Sequence, residues 1–93
     1  MASNFVVVHC DNNSVHCGYI EEQDGKRVRL SQSRNIWRWR GANTLNEVAS
    51  KGVSMEWSRI AEPVDSITIL DARQIYETTS VAENNLTQSR WGK

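Results

Sequence analysis

The sequence predicts an α+β domain that is mostly β: a small antiparallel sheet, or partly open barrel, of about five strands with one or two short helices. Three observations predict it. β-Branched and aromatic runs recur along the chain, as in Phe5-Val6-Val7-Val8 and Ile67-Thr68-Ile69. The turn clusters Asp11-Asn12-Asn13-Ser14 and Asp24-Gly25 suit hairpins, which join antiparallel neighbours. A chain of 93 residues makes one small domain and excludes a doubly wound nucleotide fold or a β/α barrel.

The elements follow in order. Phe5 to Cys10 reads as the first strand, and Val15 to Glu22, alternating weakly, as the second. Lys26 to Leu30 alternates cleanly, with Val28 and Leu30 inward and Arg27 and Arg29 outward. Arg34 to Arg40 forms a further strand that Gly41-Ala42-Asn43 breaks. Thr44-Leu45-Asn46-Glu47 has the form of a capping box, opening a short helix with Leu45, Val48 and Ala49 on its apolar stripe. A basic last turn at Lys51 and a left-handed Gly52 end it. Residues 53–65 read as irregular. Ser66 to Thr78 is the longest β-like run, and its phase slips near Asp71-Ala72-Arg73, where a bulge or bend is expected. Residues 1–93 form a single domain, with 79–93 a peripheral helix or tail.

Composition narrows the functions. The 11 basic and 11 acidic side chains cancel, which disfavours a global polyanion binder and so a long nucleic acid. The longest apolar run, Phe5 to Val8, is too short for a membrane span or a signal peptide. Cys10 and Cys17 then read as reduced thiols in a cytoplasmic setting.

His9-Cys10 and His16-Cys17 carry the ligand types of a tetrahedral zinc site. A symmetric four-residue loop over 11–14 would set His9 opposite His16 and Cys10 opposite Val15. Both imidazoles would then face solvent and both thiols would lie beneath the sheet. No metal site and no cofactor are expected, and an acid–base pair of His9 and His16 lacks a supporting carboxylate other than Asp11. An enzyme is the weakest reading.

The informative stretch is Lys26 to Asn46, with six basic residues (Lys26, Arg27, Arg29, Arg34, Arg38, Arg40) and no acid. Within it Trp37 and Trp39 alternate with Arg38 and Arg40. Indole planes stack on nucleobases and guanidinium forks grip phosphates. The helix opening at Asn43 and Thr44 adds backbone amides and a positive dipole end. Arg34, Trp37, Arg38, Trp39, Arg40, Asn43 and Thr44 are therefore the candidate ligand residues, suited to a small phosphorylated nucleotide. The competing structural reading makes Trp37 and Trp39 core, with Arg38 and Arg40 snorkelling outside.

The segment from Arg34 to Ala49, containing Ile36-Trp37-Arg38-Trp39-Arg40-Gly41-Ala42-Asn43-Thr44-Leu45, resembles the signature of a family of small tailed-phage and prophage proteins known as a domain of unknown function. The Val-rich opening strand, Gly18-Tyr19-Ile20 and the late Ile67-Thr68-Ile69-Leu70-Asp71-Ala72 run extend the resemblance to about Thr78. Arg38 and Arg40 depart from it, standing where the family has more Tyr, Ser or Lys. The chain is also similar, in size and in its aromatic-plus-arginine segment, to phage sponges that sequester the cyclic nucleotide messengers of bacterial immunity, the anti-CBASS and anti-Thoeris type. That resemblance implies a phage immune-evasion protein in the host bacterial cytoplasm. Its ligand would be a cyclic di- or oligonucleotide or a cyclic ADP-ribose-type molecule, held without cleavage by a homo-oligomer. The alternative is a small interaction module that inhibits a host protein through the same Trp/Arg face, since Trp and Arg also dominate protein–protein hot spots.

Overall fold

Phe5, Val6, Val7 and Val8 are all buried, so consecutive side chains of one strand are covered on both faces of a sheet. The computed structural model describes residues 4–11, 13–38, 44–53 and 59–87. In chain order these form β1 (Phe5–Cys10), β2 (Val15–Asp24), β3 (Arg27–Arg38), α1 (Leu45–Lys51), β4 (Arg59–Ile60), β5 (Val64–Ile69), β6 (Ala72–Glu77) and α2 (Ser80–Leu86). All the strand pairings are antiparallel, in the order β5-β3-β2-β1-β6, with β4 continuing the β5 edge along the far end of β3. The architecture is α+β and mostly β, as the sequence predicts. No ladder joins β5 to β6 among the described residues, so the sheet stays open.

The sheet is nonetheless strongly curled. Only Leu70 and Asp71 separate β5 at one edge from β6 at the other. The tips of the first two hairpins also meet: Lys26 Nζ lies 2.9 Å from Asp11 Oδ2, and Ala72 N–H donates to Lys26 O. Val6, Val8, Cys10, Val28, Leu30, Ile69 and Ala72 fill the inside of the curl. Phe5, Val7, Val15, Cys17, Ile36 and Ile60 lie on the outer face, under Val48 of α1 and Leu86 of α2. Val28 and Leu30 are buried while Arg27 and Arg29 reach solvent, as their alternation predicts.

Three differences from the sequence reading have local causes. The first hairpin closes between Cys10 and Ser14: Asn13 N–H donates to Cys10 O, Cys10 N–H donates to Ser14 O, and Asn13 takes φ 70°. This loop is one residue shorter than the expected one, so His9 pairs with Val15 and His16 with Val8. The histidines therefore do not share a face, nor do the cysteines; each face carries one of each. Both imidazoles are half-buried rather than solvent-facing.

The second difference is that the expected third and fourth strands are one strand, β3, bent by a bulge. Cys17 pairs with Arg34 and Tyr19 with Ser31, so Gln32 and Ser33 together oppose Gly18. Gln32 holds φ 49°, and a Cβ on Gly18 would sit 3.0 Å from Ser31 O and 3.1 Å from Ser33 Cα. Third, the late β run is two strands. Its phase slip at Asp71 is the turn between them, and β4 lies within the stretch expected to be irregular.

The helices behave as their caps predict. Thr44 Oγ1 accepts from Glu47 N–H, and Gly52, at φ 85°, returns its N–H to Val48 O. Thr79 caps α2 through Ala82 N–H while its hydroxyl donates to Ser50 O at the end of α1. Asn85 bonds both the N–H and the carbonyl of Val53, at 2.8 and 2.9 Å. A Cβ on Gly52 would collide with that Asn85 side chain, so Gly52 serves the left-handed turn and the close approach together.

Opposite outcomes are expected at the two sides of the β3 bulge. Gly18→Ala should lower unfolding stability by about 1–3 kcal/mol through overpacking. Gln32→Gly, relieving a left-handed residue, should be neutral or raise stability by up to about 1 kcal/mol. Urea denaturation of both variants checks this.

Candidate functional site

The sequence places its ligand residues along the second half of β3 and the opening of α1. Arg34 and Thr44 can be described in full. Trp37 and Arg38 close β3, but their side chains, together with Trp39, Arg40 and Asn43, lie outside the described residues. Thr44 is exposed, and its hydroxyl serves the cap of α1.

Arg34 is only 4% exposed. Its Nε donates to Ala61 O at 2.8 Å, and its Nη1 donates to Leu86 O at 3.2 Å. One guanidinium thus fastens the β4–β5 connection and the Leu86 carbonyl of α2 to β3, where a cation also complements the negative end of the helix. Burial lowers its pKa, opposed by the nearby Cys17 and Glu62. The basic surplus read in the sequence is partly balanced within the fold. Lys26 pairs with Asp11, and Arg27 and Arg29 both approach Glu22, at 3.8 and 3.2 Å. These acids come from β2 and its preceding loop, outside the acid-free stretch. The pairs are exposed, so each contributes little to stability.

Arg34 also borders a cleft of about 240 Å³ with Tyr19, Gln32, Pro63 and Thr87. The β3 bulge forms one side, the β4–β5 connection another and the end of α2 a third. Tyr19 stands edge-on to Phe5, with ring centroids 5.0 Å apart, and donates its hydroxyl to Glu83 Oε2 at 2.8 Å. That bond to a carboxylate raises the Tyr19 pKa, keeping the phenol protonated. The cleft therefore offers an aromatic ring, a cation, an amide and a hydroxyl. The sequence marked Tyr19 only within the Gly18-Tyr19-Ile20 run of the family resemblance, not as a ligand residue. It did not mark Gln32, because a left-handed glutamine within a strand has no sequence signature.

A family model described as a domain of unknown function (DUF6948) matches residues 3–86. The chain belongs to that family. The match spans every described strand and both helices of this DUF6948 domain, beyond the Thr78 limit of the sequence resemblance. No curated protein matches the chain. No described helix is long and apolar enough to cross a membrane, and no group of three or more metal-binding side chains occurs among the described residues.

Cys17 lies on the outer face beneath Arg34 and is fully buried, which pushes its thiol pKa up to about 12 from 9.0. The unfolded chain therefore releases this proton first as pH rises. Cys17 burial contributes stability that is fully present below pH 9 and is lost between about pH 9 and 12. Cys17→Ala should flatten this alkaline fall in unfolding stability. Thiol-specific labelling at pH 8 should modify Cys17 only when the chain unfolds.

Proposed function

We propose that this DUF6948 domain is a non-catalytic binder that sequesters a small cyclic nucleotide. In this reading it is a phage-encoded sponge for a messenger of host immunity, acting in the bacterial cytoplasm. The observation that carries the reading is the cleft that Arg34 and Tyr19 both line. A cation and an aromatic residue lining one cleft suit a phosphate and a base. Trp37, Arg38, Trp39 and Arg40 follow Arg34 after Asn35 and Ile36 in the chain and would extend that chemistry. Because Arg34 is held by two backbone carbonyls, its charge is pre-positioned, which lowers the ordering cost of binding.

The cleft, at about 240 Å³, is smaller than the usual range of about 300–1,000 Å³ for ligand pockets. A second copy of the chain would complete the enclosure, so the bound form is read as a homo-oligomer.

A thermal-shift panel of cyclic di- and trinucleotides and cyclic ADP-ribose isomers tests the proposal. One ligand class at a hundredfold its Kd should add about 2.7 kcal/mol of stability. Heating should then return that ligand intact. Trp39→Ala and Arg40→Ala should abolish the shift while keeping the unliganded melting temperature. A flat panel would overturn the nucleotide reading in favour of a protein partner for the Trp/Arg face.

A further inference from the structure

The inner face of the sheet holds a second pocket, about 130 Å³ in volume, lined by His16, Ser33, Asn35, Glu62, Val64 and Ile67. Its construction follows from register. His16 pairs with Asn35 across β2 and β3, and Ser33 pairs with Val64 across β3 and β5. The β3 bulge is what brings these residues together: after Gln32 the strand turns Ser33 and Asn35 inward, and Arg34 outward to the cleft already described. The two pockets open on opposite faces of β3 and both border the β4–β5 connection, through Pro63 in the first and through Ala61 and Glu62 in the second.

The pocket wall is mainly apolar, with a few polar groups set into it. Ser33 is 2% exposed, and its hydroxyl has no hydrogen-bond partner. Among the described residues no hydrogen bond uses the side chain of His16 or Asn35, while Glu62 is exposed and its charge acts on Arg34. An unmet buried hydroxyl costs about 1–3 kcal/mol, which an occupant bonded to Ser33 beside His16 and Asn35 would recover. The room equals that of roughly four waters, enough for one small ring system.

The chemistry of the lining selects the occupant. No Lys or Arg lines the pocket among the described residues, while Glu62 lies at its rim and Asp71 acts electrostatically on His16. Phosphate is therefore disfavoured. Burial holds the His16 pKa below its usual value, leaving a neutral ring with one donor and one acceptor. Asn35 offers an adjacent donor and acceptor, the pairing that reads an exocyclic amine beside a ring nitrogen, and a carboxylate accepts from such an amine. Val64 and Ile67 supply an apolar wall for a flat ring. We propose that this inner-face pocket binds the amino edge of one nucleobase, the feature that adenine and cytosine share.

Titration of the whole chain with nucleosides, followed by NMR at His16 and Asn35, tests the assignment. Adenosine and cytidine should give saturable shifts at both residues, while inosine and uridine, which lack the amine, should bind at least about tenfold more weakly. Ser33→Ala removes an unpartnered hydroxyl and should leave the melting temperature equal or higher. Ser33→Ala and Asn35→Asp should each weaken adenosine and cytidine by about tenfold or more. Absence of saturable shifts at millimolar nucleoside, leaving the pocket to water only, would overturn the proposal. So would equal binding of inosine and uridine, or affinity indifferent to both substitutions. A negative result here leaves the cyclic-nucleotide reading untouched, since that reading is judged through Trp39 and Arg40.

Discussion

β1 has almost no solvent face, and the rest of the molecule is arranged to satisfy that condition. Phe5 and Val7 point one way and Val6 and Val8 the other, all of them buried. Burying four such side chains contributes on the order of 6–12 kcal/mol before entropy is charged, comparable to the whole net stability of a small domain. A flat sheet with one wet face would forfeit half of that. The curl of β2 and β3 encloses one side of β1, and α1 and α2 cover the other. The short turn Leu70-Asp71 then becomes possible, because curling brings the two edges of the sheet close enough for two residues to span them.

The helices are too short to be stable by themselves, at seven residues each. They are held by a few polar side chains acting on backbone groups that helix ends leave unmatched. Thr79 serves two helices at once, Asn85 reproduces a strand-like pair of bonds to Val53, and Arg34 collects carbonyls from two segments. These groups bond to backbone, so the link does not depend on which apolar side chains pack beside it. Arg34 shows how a residue can hold the fold together and still border a ligand-sized cleft.

The parts of the fold set by local chemistry were legible. Thr44 and Gly52 mark the ends of α1 by rules that act within a few residues, and the alternation around Val28 and Leu30 fixes which way those side chains point. What failed to show depended on single dihedral angles or on distant partners. One left-handed Asn13 shortened a loop and moved both His-Cys pairs relative to each other. One left-handed Gln32 joined two expected strands into β3 and turned Arg34 and Ser33 to opposite faces. Of the expected ligand residues, Arg34 was recognisable as a cation but not as a buried one, since its carbonyl partners lie 27 and 52 residues away. The polar lining of the inner pocket was hidden for the same reason: His16, Ser33 and Glu62 are unremarkable until the sheet curls.

The double burial of β1 also fixes an order of events at the ribosome. Its hairpin with β2 is complete once about a quarter of the chain exists, yet Thr78, whose Oγ1 bonds Phe5 O, lies 73 residues after Phe5. Ile60, Ile69, Ala72 and Leu86, which close over the two sides, come from that same late portion. During synthesis the most apolar strand is therefore the first to emerge and the last to be covered. Loss of α2 would uncover the outer face of β1, since Leu86 packs there against Phe5 and Val7.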